Sequence, residues 1–273
     1  MIDTHHHLWK YTETEFGWLE TDETRRNFLA HELDELFPKN GMTGAVAVQA
    51  RTILEENDFL LEQAEQSEII KAVVGWVDLT SPEAGTQLDH YAANTYFKGV
   101  REITQGAEDA TFLDNKEFNA GIREITARDL TYDVLIFQNQ LTAATRFIDQ
   151  HPSQRFVLDH AAKPEIRSSQ FPTQWETQIR EMAKREHLVC KISGLVTEVR
   201  DSSWDDALMT RYFEVLLEAF TPQRLMFGSD WPVSLHASDY ARWVNCFTSY
   251  FSTLSEDEQR AIYTDNATQF YSL

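Results

Sequence analysis

The sequence predicts an α/β protein, a (β/α)₈ TIM barrel that forms a single domain over residues 1–273. Short apolar runs alternate with longer amphipathic stretches along the chain, and eight such runs occur in 273 residues. Several runs are apolar without interruption, as at Val134-Leu135-Ile136-Phe137, which is typical of strands buried on both faces of a parallel sheet. No glycine-rich turn follows the first run. This disfavours the alternative fold, an open doubly wound sheet.

The predicted strands alternate with predicted helices. The strands lie at residues 2–7, 44–50, 69–79, 97–103, 132–138, 155–160, 188–193 and 224–229. The helices lie at residues 54–66, 115–128, 143–150, 173–185, 209–219, 239–251 and 256–270. In the first of these helices, Leu54, Leu61 and Ala64 share one face and acidic residues lie opposite. Ser255 is the predicted N-cap of the last helix.

Charge and cysteine content restrict the partners and the compartment. The chain has 24 Lys and Arg against 44 Asp and Glu, a formal net charge of −20. Such a chain repels phosphate backbones and anionic lipid, so we expect neither nucleic-acid nor membrane partners. Two cysteines, Cys190 and Cys246, make no disulfide framework, and the sequence begins with no signal-peptide pattern. These features predict a cytoplasmic protein. The outer helices carry no recognisable interface pattern, so both a monomer and a homo-oligomer remain open.

Histidines and an aspartate lie at the carboxyl ends of three of the predicted strands. In a (β/α)₈ barrel, catalytic groups lie at the carboxyl ends of the strands. His5 and His7 are two residues apart on the first strand and therefore face the same side, as a metal-binding pair would, whereas His6 faces the helices. His160 ends the sixth strand, and Asp230 follows the eighth. We predict Asp230 and His160 as catalytic residues, and all four inward-facing side chains as metal ligands.

Other polar and aromatic residues near strand ends are candidates for substrate binding. Arg101, at the end of the fourth strand, could hold a carboxylate or a sugar hydroxyl; the alternative is an ion pair with a neighbouring acid. Gln49 and Gln138 could donate hydrogen bonds to a polar substrate. Trp9 and Trp231 could line a sugar-sized pocket.

Several motifs together resemble the amidohydrolase superfamily, in particular its branch of sugar-acid lactonases. The motifs occur in the family's order along nearly the whole chain, from residue 2 to about residue 270. They are Ile2-Asp3-Thr4-His5-His6-His7-Leu8-Trp9, Val48-Gln49-Ala50, Gly75-Trp76-Val77-Asp78-Leu79, Asp159-His160-Ala161-Ala162-Lys163-Pro164, Lys191-Ile192-Ser193-Gly194 and Phe227-Gly228-Ser229-Asp230-Trp231-Pro232.

The resemblance implies a distorted (β/α)₈ barrel that hydrolyses lactones of sugar acids, such as fuconolactone or rhamnonolactone, in carbohydrate breakdown. It matches His5 and His7 to the metal pair of the first strand, His160 to the histidine of the sixth and Asp230 to the aspartate of the eighth. Many family members also carry a histidine on the fifth strand, where this chain has Gln138. The family pattern therefore implies one divalent metal ion, such as zinc, or chemistry without a metal.

We hypothesise that the protein opens the ring of a sugar-acid lactone with water that Asp230 and the histidines activate. Two alternatives stay open at this point. One is other chemistry of the same family, namely hydrolysis of a pyrone dicarboxylate or decarboxylation of an aromatic acid. The other is a non-catalytic barrel that binds a sugar acid.

Overall fold

A computed structural model describes residues 1–19, 21–106, 112–201 and 203–273. Eight parallel strands pair in sequence order, each with the next, and confirm the predicted (β/α)₈ barrel. The barrel closes near its carboxyl end, where the Asp230 N–H donates to the His5 carbonyl (2.8 Å) and the His7 N–H donates to the Trp231 carbonyl (2.7 Å). The strands are β1 (Ile2–His6), β2 (Gly44–Val48), β3 (Ile70–Gly75), β4 (Phe97–Ile103), β5 (Thr131–Leu135), β6 (Phe156–Leu158), β7 (Leu188–Ile192) and β8 (Leu225–Phe227).

Seven strands end earlier than predicted, and the two with the largest difference, β3 and β5, end where side chains bond the backbone that follows them. After β3, the Asn57 side chain accepts from the Trp76 N–H (2.8 Å) and donates to the Trp76 carbonyl (2.7 Å). After β5, the Phe137 N–H donates to Gln140 Oε1 (2.9 Å) as the chain turns into a short 3₁₀ helix. Such bonds replace the sheet ladder, and polar side chains thereby reach the rim.

The helices surround the barrel. They are α1 (Glu13–Phe16), α2 (Ala30–Lys39), α3 (Glu55–Glu65), α4 (Ala84–Ala92), α5 (Lys116–Ala127), α6 (Leu141–Asp149), α7 (Thr173–Met182), α8 (Asp206–Phe220), α9 (Tyr240–Phe251), α10 (Glu256–Arg260) and α11 (Asn266–Tyr271). The short helices α1, α2 and α4 are absent from the sequence prediction. The predicted last helix is found as α10 and α11, which a π-helical turn separates, and Ser255 caps it with a reciprocal bond to Glu258. Within the described ranges, no helix is long and apolar enough to cross a membrane.

Aliphatic side chains fill much of the barrel interior, and α11 closes the barrel at its amino end. Val46, Val74 and Val189 belong to one buried cluster with Tyr271 of α11. The position of α11 is fixed by Asn266, whose amide donates to the carbonyl of Leu225 at the start of β8 (2.7 Å). This part of the interior is therefore a packed core, and the residues that could meet a substrate lie at the carboxyl end of the barrel.

His151, outside the barrel, should make stability depend on pH. Its Nε2 lies 2.6 Å from Asn119 Oδ1 and donates to it, and burial lowers the pKa of His151 to about 4. Between about pH 6.5 and pH 4, the unfolded chain therefore binds a proton that the folded protein does not, and stability falls as the pH drops.

When the pH drops from 7 to 5, we expect the titration of His151 to lower the free energy of unfolding by about 1–2 kcal/mol. His151→Gln retains an N–H donor but does not titrate, so it should lose correspondingly less. Urea unfolding of both proteins at the two pH values measures the difference. Equal losses would show that His151 does not contribute.

Candidate active site

Four of the predicted site residues meet at the carboxyl end of the barrel. His5 Nε2 lies 3.3 Å from His7 Nε2 and 3.9 Å from Asp230 Oδ1. Asp230 Oδ1 also lies 3.4 Å from His7 Nε2 and 4.0 Å from His160 Nε2. All four side chains are buried. The convergence that strand alternation predicts is therefore present in the structure.

The outer hydrogen bonds of His5 and His7 fix which ring nitrogens face each other. His5 Nδ1 lies 3.2 Å from Asp159 Oδ1, and His7 Nδ1 lies 2.8 Å from the Val48 carbonyl. Because a carboxylate and a carbonyl only accept, each Nδ1 carries the hydrogen and each Nε2 presents a lone pair. Two lone pairs at 3.3 Å repel each other unless a cation lies nearby. The Arg101 guanidinium, with Nη1 at 3.2 Å from His5 Nε2, supplies part of that charge.

The same donor set fits a divalent metal ion. His5, His160 and Asp230 each direct one ligand atom into a common space, and these atoms lie within 4.8 Å of one another. His7 Nε2 borders the same space. Imidazole nitrogens with one carboxylate oxygen are ligands that zinc prefers, and the bonds at each Nδ1 are of the kind that orient histidine ligands.

Electrostatics keep Asp230 ionised and His160 neutral near pH 7. Burial alone would raise the pKa of Asp230, but His160, then His7 and His5, hold the pKa below its ordinary value. Burial lowers the pKa of His160 to about 4, against the opposing effect of Asp230 and Asp159. The cluster thus presents a carboxylate that can accept a proton beside an uncharged imidazole.

A left-handed turn carries His160 into the site. Four consecutive residues after β6, His160 to Lys163, have φ values of 52°, 50°, 61° and 46°. Each costs about 1–2 kcal/mol in a residue with a Cβ. The turn is held by the Lys163 N–H, which donates to the His160 carbonyl (2.8 Å), and by Trp175 Nε1, which donates to the Ala161 carbonyl (2.8 Å). Strain of this kind persists where the surroundings determine a functional geometry.

Gly194 lies against two of the cluster's side chains. It has φ +61°, and a Cβ there would lie 2.6 Å from His160 Nδ1 and 2.9 Å from Asp230 Oδ2. We expect Gly194→Ala to displace both groups and reduce kcat at least about tenfold, because small misplacements of catalytic groups are costly. Steady-state kinetics would measure this. Gly41→Ala is the matched control, since Gly41 has φ +79° and no atom near its missing Cβ. Equal kcat values for the two variants would contradict the prediction.

A buried charge network lies beneath the cluster. Asp159 Oδ1 accepts from Lys191 Nζ (3.1 Å), and Asp159 Oδ2 accepts from Arg101 Nη1 (3.1 Å). Lys191 also donates to Asp133, which accepts a second bond from the Tyr271 hydroxyl (3.1 Å). Burial would raise the pKa of Asp159, but Lys191 and His5 hold it well below its ordinary value. Asp133 behaves differently, since burial raises its pKa to about 6 despite Lys191.

Lys191, Asp159 and Asp133 were missed as site residues by the sequence analysis, which named only Arg101 of this network. A charged Lys191 inside the apolar run of β7, and an Asp159 directly before His160, were the available signals. A charge in a fully buried strand needs a partner, but the sequence does not identify which one.

The structure places Arg101 at the site cavity, as predicted, and corrects the predicted positions of the two glutamines. Gln49 is fully buried, and its Oε1 accepts from Arg101 Nη2 (2.9 Å), so it orients Arg101. Gln138 accepts from the Glu165 N–H (3.1 Å) in a separate outer groove.

The predicted aromatic residues also lie elsewhere, and among the described residues neither lines the cavity. Trp9 Nε1 donates to the Arg26 carbonyl (2.8 Å), and its ring packs against Phe28. Trp231 packs edge-on against Phe28 and Phe37. Both tryptophans belong to the hydrophobic core between barrel and helices. His6 faces the helices as predicted, with its ring 5.5 Å from that of Phe37.

The cavity above the cluster has a volume of about 310 Å³ and is lined by both polar and apolar residues. The polar lining residues are His7, Arg101, Gln105, His160, Lys163 and Asp230. The apolar lining residues are Trp18, Ala50, Ile103, Leu135 and Val233. The volume is at the lower end of the range for small-molecule sites, which is about 300–1,000 Å³.

Known proteins resemble this chain over its whole length. An L-fucono-1,5-lactonase of Burkholderia multivorans is 35% identical over 293 residues, with 100% of this chain and 96% of the relative covered. An L-fucono-1,5-lactonase of Burkholderia ambifaria is 32% identical, with 100% and 95% covered. The crystal structure of a Burkholderia multivorans amidohydrolase with bound zinc has a TM-score of 0.92 and 36% identity, with 100% and 99% covered.

The family model described as amidohydrolase matches residues 2–273. The match includes all eight strands and every residue of the cluster. This chain belongs to the amidohydrolase family, and it is a hydrolase.

Proposed function

We propose that the protein hydrolyses the lactone ring of a sugar acid, with L-fucono-1,5-lactone as the first candidate. The observation that carries the proposal is the convergence of the Asp230 carboxylate with three imidazoles, at distances of 3.4–4.0 Å, at the floor of a cavity of about 310 Å³. The names of the two relatives above 30% identity support the substrate class. A neutral polyhydroxylated ring also suits a cavity lined by several hydrogen-bonding groups.

In this proposal, Asp230 accepts the proton of the water that attacks the lactone carbonyl carbon. Without a bound metal ion, the uncharged His160 donates a hydrogen bond to the oxygen on which negative charge develops. When the bond between the carbonyl carbon and the ring oxygen breaks, that ring oxygen takes up a proton. Lys163, whose ammonium borders the same cavity, is a candidate donor.

Arg101 orients the substrate. Its guanidinium is held from behind by Asp159 and Gln49, with Nη1–Oδ2 and Nη2–Oε1 distances of 3.1 and 2.9 Å. A guanidinium fixed in this way presents its positive charge to the polar groups of the substrate at little cost in conformational entropy. Gln49 therefore acts through Arg101 rather than on the substrate.

A divalent metal ion, which we propose to be zinc, would be held by His5, His7, His160 and Asp230. When bound, it would polarise the carbonyl or lower the pKa of the attacking water. The converging ligand atoms and the zinc in the crystal structure of the relative support this assignment.

The function is tested by a pH-indicator assay on a panel of aldono-1,4- and 1,5-lactones, with an enzyme-free control for spontaneous hydrolysis. Acid release above the control, greatest for fuconolactone or a close analogue, is the expected result. No acid release above the control from any lactone, together with hydrolysis of a pyrone dicarboxylate or release of CO₂ from an aromatic acid, would overturn the proposal.

Metal removal gives a separate prediction. After dialysis against a strong chelator, we expect the turnover of the lactone to fall at least about tenfold and to recover when Zn²⁺ is added. Elemental analysis before and after dialysis measures the zinc content. Full activity in protein that contains no measurable metal would refute the metal assignment and leave the lactonase proposal intact.

A further inference from the structure

Few large apolar side chains are exposed among the described residues, and the exposed ones are unevenly distributed over the surface. Among the described residues, three are exposed: Trp18 (53%), Ile53 (38%) and Ile103 (36%). Trp18 and Ile103 both line the active-site cavity, whereas Ile53 does not. Exposed apolar surface concentrated in one cavity points to a ligand that covers it.

Trp18 and Ile103 are held in place by different parts of the fold. Ile103 ends β4 and is two residues beyond Arg101, so both side chains leave the strand on the cavity side. Arg101 is 3% exposed and lies deep, whereas Ile103 lies at the rim.

Trp18 reaches the cavity from the segment after α1. Its ring meets that of Trp9 edge-on, with the centroids 6.4 Å apart. Trp9 is itself fixed by its hydrogen bond to the Arg26 carbonyl (2.8 Å). A buried tryptophan therefore supports an exposed one at the cavity mouth.

Polar and apolar residues line the same cavity of about 310 Å³. A ligand that satisfies both must carry hydroxyl or carbonyl groups together with an exposed hydrocarbon group. Among sugar-acid lactones, a 6-deoxy compound has this character, because its C6 is a methyl group.

We propose that Trp18 and Ile103 are specificity-determining residues that receive the C6 methyl edge of the lactone and thereby select 6-deoxy over 6-hydroxy substrates. This inference rests on the proposed lactonase function. A hydroxyl at C6 would lose its water partners against this wall without gaining a hydrogen bond. The selection should amount to about 10- to 100-fold in kcat/KM, the range that an apolar pocket achieves against an added hydroxyl.

The test compares L-fucono-1,5-lactone with L-galactono-1,5-lactone, which differ only by the hydroxyl at C6. In the wild-type protein, kcat/KM should favour the 6-deoxy lactone about 10- to 100-fold. Ile103→Ser should reduce that ratio to about threefold or less, because the introduced hydroxyl can bond the one at C6. Ile53→Ser is the matched control: the same change at a similarly exposed isoleucine outside the cavity should leave the ratio unchanged.

Trp18 is tested with a second readout. Trp18→Ala should raise KM for the 6-deoxy lactone about tenfold or more with kcat changed little, whereas Trp18→Phe should retain most of the affinity. Because Trp18 is 53% exposed, whereas Trp76 is partly buried and the other five tryptophans are buried, acrylamide quenching of tryptophan fluorescence reports more on Trp18 than on any other tryptophan. Saturating L-fuconate should reduce that quenching in the wild-type protein and have little effect in Trp18→Phe.

The outcomes separate the two proposals. Equal kcat/KM for the two lactones, or a preference that persists in Ile103→Ser, would overturn the specificity inference while the lactonase function stands. Quenching that L-fuconate does not change would overturn the role of Trp18. Failure to hydrolyse either lactone would overturn the proposed function, and the inference with it.

Discussion

Asp230→Asn is expected to reduce kcat for lactone hydrolysis about 10²- to 10⁴-fold, the contribution of a positioned general base. Asparagine has nearly the same shape, so packing should survive. The backbone bonds of residue 230 should also survive, namely its N–H to the His5 carbonyl (2.8 Å) and its carbonyl to the Ser234 N–H (2.9 Å). What is lost is the proton acceptor and one anionic metal ligand. Initial rates with saturating fuconolactone measure the effect.

Two controls make this result interpretable. Asp89→Asn removes an exposed carboxylate that pairs with Arg128 (2.7 Å), and it should keep the wild-type rate. Circular dichroism and the zinc content of Asp230→Asn separate loss of the base from loss of the fold or the metal. Rates within about threefold of wild type in a folded Asp230→Asn protein would exclude Asp230 as the base.

The barrel and the cluster of histidines with Asp230 could be predicted from the sequence, because both depend on local periodicity. A run such as Val46-Ala47-Val48 identifies a strand buried on both faces, and a spacing of two places His5 and His7 on one side. Combined with the rule that barrel sites lie at strand carboxyl ends, these patterns lead to His160 and Asp230 as well. Their convergence is confirmed by the distances, whereas their roles stay predictions.

The rest of the site depends on loop conformation and on pairing between distant residues. Trp9 and Trp231 are adjacent to site residues in sequence, but the chain turns them into the core, and Trp18 occupies the cavity mouth instead. No periodic pattern predicts that Trp18 lines the cavity in place of Trp9 and Trp231, because this depends on the path of the segment after α1. The left-handed turn at His160–Lys163 is equally hidden, since alanine rarely adopts positive φ.

The charge network under the site gives the prediction with the largest expected effect on stability. Lys191 is fully buried, and its ammonium bonds Asp133 and Asp159, both also fully buried. Lys191→Met would remove the cation and leave two carboxylates in the barrel with Arg101 alone to balance them. We expect the free energy of unfolding to fall by about 3–5 kcal/mol at pH 7, the typical cost of an uncompensated buried charge. Urea unfolding of the metal-free proteins measures it.

The pH dependence and a double variant identify the cause of that loss. The pKa of Asp133 is raised to about 6 even with Lys191 in place, and without the cation it should rise further. Near pH 5 the folded variant would therefore hold Asp133 protonated and uncharged, so the loss should be smaller at pH 5 than at pH 8. In Asp133→Asn/Lys191→Met the pair is neutral at every pH, and stability should return partly towards wild type. A loss that is equal at both pH values and unchanged in the double variant would instead assign the effect to packing around Lys191, in which case the network would not be a balanced set of charges.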